Sequence, residues 1–237
     1  MLKIIITFVL LVTDALASED QSMEKNIDSI IKEFIMNNPE IIIKSLEKHR
    51  ERIEATTEKI VKNNIVKYYS EKTFAQHPSI GSKDSQIILT EFIDYNCSFC
   101  KKILSTILKL HDTVEDLQIV FLDYPILSDS SDIAAMAALA ANEQKNYFDY
   151  HSALLRHRGE ITEDVLMDIA EKLNLDLTLF KRDMYSSKIK DKLKDNINLA
   201  RSLQVRGTPS FLLGDNILSG AYSYENFLEI IERSKGK

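Results

Sequence analysis

Cys97 and Cys100 are the only cysteines in the 237 residues, and they sit together in "EFIDYNCSFC" at the end of a near-continuous apolar run. Three chemistries are open to such a pair. A structural zinc site wants four ligands, often two such pairs, and the five histidines are too scattered to complete one. That leaves zinc only as a site shared between subunits. A structural staple is the second choice, but a loop closed between residues 97 and 100 constrains little unfolded chain. A redox couple is the third, and it fits the pattern best. If the segment opens a helix, the i,i+3 relation puts both sulfurs on one face, within bonding reach. Cys97 then lies at the helix N-terminus, where unpaired N–H groups and the helix dipole favour a thiolate. Such a thiol is an exposed nucleophile at neutral pH, and Cys100, one turn inside, is the buried resolving thiol.

The elements around the pair support this placement. "QIILTEFIDY" (86–95) reads as a buried strand, "SFCKKILSTILKLHD" (98–112) as a helix, and "LQIVFLDYP" (117–125) as a second buried strand. Strand, helix, strand over this length is a βαβ unit with a parallel pair. Residues 131–205 are almost wholly helical, with Thr162 as an N-cap and a small-residue run at "DIAAMAALAA" (132–141). "PSFLLGDNILSG" (209–220) reads as two short strands, and a final helix spans 224–234. The fold class is therefore α/β: a βαβ half, a helical insertion at about 126–205, and a ββα half. Glu91 stands among apolar neighbours in the first strand, where burial would let it shuttle the Cys100 proton. The other reading is a carboxylate at a solvated strand end. Pro209 either opens a strand in the ordinary trans form or marks a tight cis turn.

The combination "ILTEFIDYNCSFCKKIL", a helical insertion and "VRGTPSFLLGD" resembles the DsbA-like branch of the thioredoxin superfamily, over about residues 82–235. Three motifs carry the likeness: C-S-F-C at a strand–helix junction, "GTPSF", and Glu91 six residues before Cys97. The resemblance implies a thioredoxin-like fold and a redox-active Cys97–Cys100 disulfide with no other cofactor. It also implies a cis bond between Thr208 and Pro209 facing that disulfide, with Glu91 as the carboxylate beneath the cysteines. Its implied partners are cysteine-containing unfolded or misfolded proteins and a membrane redox partner. One departure matters. Where the best-known members often have Pro-His between the cysteines, this chain has Ser98-Phe99, so a histidine cannot stabilise the thiolate and a weaker oxidant is expected. Tyr95 and Phe99 are expected to form an apolar rim for substrates instead.

The N-terminal part differs from the rest. Lys3, the apolar "IIITFVLLV" (4–12) and "ALA" (15–17) form the pattern of a cleavable signal peptide, 1–17, implying export to an oxidising space such as the periplasm. Residues 18–76 read as a helical stem. Ile27, Ile30, Ile31, Phe34 and Ile35 share one face, and Asn38 is an N-cap candidate before Pro39. Leu46, Ile53 and Ile60 repeat every seven residues, but His49, Thr56 and Asn63 weaken that seam. The stem is either a solvated helix or an assembly element. It is similar to a subgroup typified by suppressor of copper sensitivity protein C, which implies a homotrimer and disulfide isomerisation. "HPSIGSKDS" (77–85) reads as the linker into a catalytic domain at 77–237. A net charge of -6 with no basic block excludes a nucleic-acid partner. Two further function classes stay open: a monomeric dithiol oxidase, and a non-catalytic envelope chaperone.

Overall fold

The computed structural model describes residues 26–235, so the signal sequence read at 1–17 lies outside the described residues. The described residues divide into two compact units, with the boundary between Lys59 and Ile60. In the first, helix α1 covers residues 26–37, and α2 (Pro39–Ser70) starts after a single intervening residue, Asn38. Asn38 does not cap α2 with its side chain. Its amide donates to the Phe34 carbonyl at 2.7 Å, closing α1, while its own carbonyl accepts from the Ile41 N–H at 3.1 Å. Pro39 takes the first position of α2, where its missing N–H is not needed. The apolar residues of this unit face outward: Ile31, Phe34, Leu46 and Ile53 are each at least half exposed.

The second unit begins within α2. Residues 60–76, read from the sequence as the end of a stem, contribute Ile65, Tyr68 and Phe74 to a core with Phe92, Val120 and Leu122. The Tyr68 hydroxyl reaches Thr90 Oγ1 at 2.8 Å, so even the polar atom on that strand face is satisfied. The "HPSIGSKDS" stretch is also part of this unit. Ser79–Ile80 forms β1, antiparallel to β3 (Leu117–Asp123), and Gly81 follows at φ +88. A Cβ on Gly81 would lie 2.2 Å from the Leu117 carbonyl oxygen, so only glycine fits this close approach.

The sheet runs β1-β3-β2-β4-β5. Central β2 (Ile87–Ile93) is parallel to β3 and antiparallel to β4 (Ser210–Leu213), which pairs with β5 (Asn216–Ser219). The connection from β2 to β3 is α3 (Ser98–Thr113). Both β2 and β3 are covered on two faces, which explains their nearly continuous apolar sequences. Leu89, Ile93, Ile119 and Phe121 face α3 and the insertion, while Phe92, Val120 and Leu122 face the end of α2. The insertion comprises α4 (Asp129–Glu143), α5 (Tyr147–Arg156), α6 (Glu163–Lys172), α7 (Leu177–Met184) and α8 (Ser187–Ser202). In α4 every alanine is buried, and the small side chains let neighbouring helices approach closely. Thr162 accepts from the Val165 N–H at 3.4 Å at the start of α6, the N-cap expected of it. A last helix, α9 (Tyr224–Lys235), packs Phe227 against Phe211 of β4. Among the described residues, no helix is long and apolar enough to cross a membrane.

Candidate active site

Cys97 is the N-cap of α3, placed where β2 ends on the sheet's central strand. Its Sγ accepts the Cys100 N–H at 3.4 Å and lies 3.1 Å from the Thr208 carbonyl oxygen, to which the thiol donates. The sequence reading of Cys97 as exposed needs correcting, because the residue is only 6% exposed. The Thr208–Pro209 loop sits over it, and that peptide bond is cis. Cys100 is fully buried one turn into the helix, and both thiols are free.

The two sulfurs have opposite electrostatics. Cys97 is lowered to about 5, chiefly by a hydrogen bond from the Cys100 thiol. Burial opposes this, and the Thr208 side chain and the backbone N–H groups of Cys100 and Phe99 add to it. Cys100 is pushed far up, first by burial, then by donating to Cys97, with the Glu91 charge adding a smaller part. One group is therefore a thiolate at neutral pH, and the other is a protonated thiol.

Glu91 lies beneath them on β2, 1% exposed, with no hydrogen-bond partner at Oε1. Burial, followed by the Cys97 charge, raises it to about 8. The loop that carries Thr208 and Pro209 is fixed from both sides. Ser210 Oγ donates to the Gly207 carbonyl at 2.7 Å, and the Gly220 N–H donates to the Pro209 carbonyl at 2.9 Å. The structure thus brings Cys97, Cys100, Thr208, Pro209 and Glu91 to one place. Tyr95 does not belong to an apolar rim, being 1% exposed with its hydroxyl 3.1 Å from His151 Nδ1. Its hydroxyl has polar partners only inside. Phe99 is 56% exposed, and Ile126 and Leu127 are also exposed, so these three provide the apolar surface near the thiolate.

Asp94 is not among the residues the sequence points to, yet it organises this surface. Its carboxylate, 1% exposed, accepts the N–H of Asn96 at 2.8 Å, of Ile126 at 2.8 Å and of Leu127 at 3.0 Å, and the Ser131 hydroxyl at 2.7 Å. Its backbone carbonyl accepts the Cys97 N–H at 3.0 Å. One residue therefore joins the turn of the nucleophile to the loop bearing Ile126 and Leu127. The available signal was an acid directly after a buried strand, the position of an Asx turn. Asp123, at the end of β3, is also fully buried; "IVFLDYP" shows a carboxylate at the end of an apolar strand. Among the described residues, no three His, Cys, Asp or Glu side chains are gathered to hold a metal ion.

The likenesses to known proteins agree with this geometry. The probable disulfide bond formation protein D of Bacillus anthracis is 28% identical over 157 residues, covering 61% of this chain and 72% of its own length. A thioredoxin-like oxidoreductase from Silicibacter pomeroyi DSS-3 is 30% identical, with a TM-score of 0.66 over 69% of this chain and 96% of its own. A linker-deleted form of Proteus mirabilis ScsC shares the fold at 23% identity, with a TM-score of 0.69 over 90% of this chain and 95% of its own. The profile of the DSBA-like thioredoxin domain matches residues 88–232, which hold both cysteines, Glu91 and the Thr208–Pro209 loop. The chain belongs to that family of DsbA-like thiol–disulfide oxidoreductases.

Proposed function

We propose that this protein is an exported disulfide isomerase and reductase that acts on unfolded or misfolded cysteine-containing proteins and works as an oligomer, most simply a trimer. The observation that carries the reading is the pairing of a Cys97 thiolate at a helix N-terminus with a buried, protonated Cys100. The thiolate attacks one sulfur of a substrate disulfide, forming a mixed disulfide and expelling a substrate thiolate. In isomerisation another substrate thiolate attacks the mixed disulfide, frees Cys97 and leaves a different substrate pairing, with no net electron transfer. In reduction Cys100 loses its proton and attacks Cys97, so the substrate leaves with two thiols and the enzyme keeps the Cys97–Cys100 disulfide. The cysteine pair itself carries the electrons, and a membrane redox partner returns it to the dithiol. Phe99, Ile126 and Leu127 offer apolar contact to an unfolded chain.

The exposed apolar residues of α1 and α2 support the oligomer. Linking several catalytic units raises the local thiol concentration to roughly mM without any new contact. The test uses trapping and rescue together. Cys100→Ser accumulates mixed disulfides and Cys97→Ser does not; equal trapping overturns the assigned roles. Removal of residues 18–59, which leaves Ile65, Tyr68 and Phe74 in place, gives a monomer that still reduces insulin but loses most rescue of a scrambled-disulfide substrate. Undiminished rescue, or a monomeric full-length protein in light scattering, favours a second reading, the monomeric dithiol oxidase. The stabilised Cys97 thiolate supports that second reading, because it favours the reduced enzyme.

A further inference from the structure

Ile126 and Leu127 are 41% and 54% exposed, yet the backbone beneath them is fixed by a carboxylate that is itself 1% exposed. Asp94 Oδ2 accepts the N–H groups of both residues, and Oδ1 accepts the Asn96 N–H and the Ser131 hydroxyl. Asn96 adds a second tie, its Nδ2 reaching the hydroxyls of Ser128, Ser130 and Ser131 at 3.0, 3.0 and 2.9 Å. Ser128 is the N-cap of α4, but its side chain makes no cap hydrogen bond and joins this network instead. A single exposed leucine needs no explanation. Here a buried carboxylate and a forgone cap hold two large apolar residues at the surface, beside the turn that carries the nucleophile.

The same residue meets both cysteines through its backbone. Its carbonyl accepts the Cys97 N–H at 3.0 Å. Burial raises Cys100, and the Asp94 N–H offsets part of that rise. The groups that lower Cys97 lie on Cys100, Thr208 and Phe99, and none is the Asp94 carboxylate. The backbone of Asp94 thus serves the thiols, while its side chain serves the loop of Ile126 and Leu127.

We infer that Asp94 is a specificity-positioning residue: by clamping Ile126 and Leu127 to the turn of the nucleophile, it selects disulfides whose cysteines have large apolar neighbours. The inference deepens the redox reading of Cys97 and Cys100 and rests on it. The substrate class follows from burial. In a folded protein the apolar residues beside a cysteine are mostly inside, and a misfolded chain brings them to the surface together with its sulfur. An apolar side chain laid on Ile126, Leu127 and the exposed Phe99 leaves water, whereas a disulfide between polar neighbours gains nothing there. A loop already held in one shape makes that contact with little loss of freedom on binding.

The test gives the reduced full chain two disulfide-linked peptide dimers, one with Leu and Phe flanking its cysteine and one with Ser at both places. Single-turnover rates against peptide concentration separate the half-saturating concentration from the limiting rate. The wild type prefers the apolar dimer about tenfold, through the half-saturating concentration. Asp94→Asn keeps the side-chain shape but sets an amide N–H against N–H donors, and the preference falls about five- to tenfold. The loss lies in the half-saturating concentration rather than the limiting rate, and the Cys97 titration, read by thiolate absorbance, does not move. Leu127→Ser, a change at an exposed side chain, gives a fall of similar size. The double variant is no worse than the stronger single one, because Asp94 acts through the loop. If Asp94→Asn folds poorly, Asn96→Ala, which cuts the ties to the serines, lowers the preference in its place. A wild type without the preference, variants that slow both dimers alike, or single effects that multiply in the double variant would each overturn the inference and leave the redox reading intact. A reduced wild type that attacks neither dimer overturns the redox reading itself, so the two failures are distinguishable.

Discussion

The low Cys97 value makes a demand on one particular atom, the Cys100 Sγ–H. That hydrogen bond is the largest of the contributions that bring Cys97 to about 5 from the 9.0 of an ordinary thiol. Replacing Cys100 with serine keeps an O–H donor at the same position, whereas alanine removes it. A hydrogen bond to a charged group contributes about 1.5–3 kcal/mol, and one pH unit corresponds to about 1.4 kcal/mol. Cys100→Ala should therefore titrate Cys97 between about 6 and 7, while Cys100→Ser stays near about 5. Thiolate absorbance against pH, checked by alkylation rate, measures both. The same value sets a stability profile whose sign is fixed. Because the folded value lies below the unfolded one, the thiolate stabilises the reduced fold fully above about pH 9, and this is lost as pH falls through about 5. At pH 7 the term is at most about 2–3 kcal/mol, and Cys100→Ala should remove about half or more of it. If the alanine and serine variants titrate together near about 5, the helix N-terminus alone sets the value and the reasoning fails.

Three further outcomes can be checked by urea unfolding. Glu91, raised from 4.5 to about 8, costs stability progressively as pH rises between those values. Glu91→Gln, neutral throughout, should therefore gain on the wild type by at most about 3 kcal/mol between pH 4 and pH 7, and a pH-independent difference refutes it. Asp94→Ala strands three part-buried N–H donors and one buried hydroxyl, at about 2–3 kcal/mol, and an unchanged midpoint would show that the clamp is redundant. Gly81→Ala should cost about 2 kcal/mol or more through its positive φ and the Leu117 carbonyl, and a loss under half that would mean the β1 corner simply shifts aside.

Much of this was legible because the informative residues act locally. The C-x-x-C spacing and the preceding strand place Cys97 at a helix N-terminus, and the apolar period of 98–112 gives α3 almost to its last residue. Thr162, Ser210–Leu213 and Asn216–Ser219 follow from capping and turn chemistry in the same way. Long-range effects were harder to read. Helical periodicity in 60–70 does not reveal that Ile65 and Tyr68 meet Phe92 across the sheet, so the stem seemed to extend too far. Cys97 looked exposed because nothing near it in sequence places the Thr208 carbonyl 3.1 Å away. Tyr95 seemed a surface aromatic because its partner, His151, lies 56 residues further on. Asp94 and Asp123 read in the sequence as ordinary acids at strand ends, since only the fold brings one to four donors and the other to Tyr147.

The Ser98-Phe99 dipeptide sharpens what sets the oxidising strength of this site. Neither residue brings a charge, and Phe99 points outward with Lys102 Nζ 5.2 Å from its ring centroid. The thiolate is held instead by neutral groups: the Cys100 thiol, the Thr208 side chain and the first N–H groups of α3. Such donors act at short range and are fixed by the backbone, so their contribution should be nearly independent of salt, unlike that of a histidinium. A Cys97 value of about 5 falls within the span of about 3.5 to 7 found for C-x-x-C enzymes. Because a stabilised reduced form makes a stronger oxidant, the reduction potential of this pair is predicted to fall between those of the strongest dithiol oxidants and the thioredoxin-like reductants, and a glutathione redox titration checks it. An intermediate poise suits an isomerase, which must give up its bond to substrate as readily as it forms one. The Ser-Phe dipeptide leaves the thiolate moderately stable, and the buried Glu91 beneath Cys100 is the carboxyl placed to take its proton when the substrate must be let go.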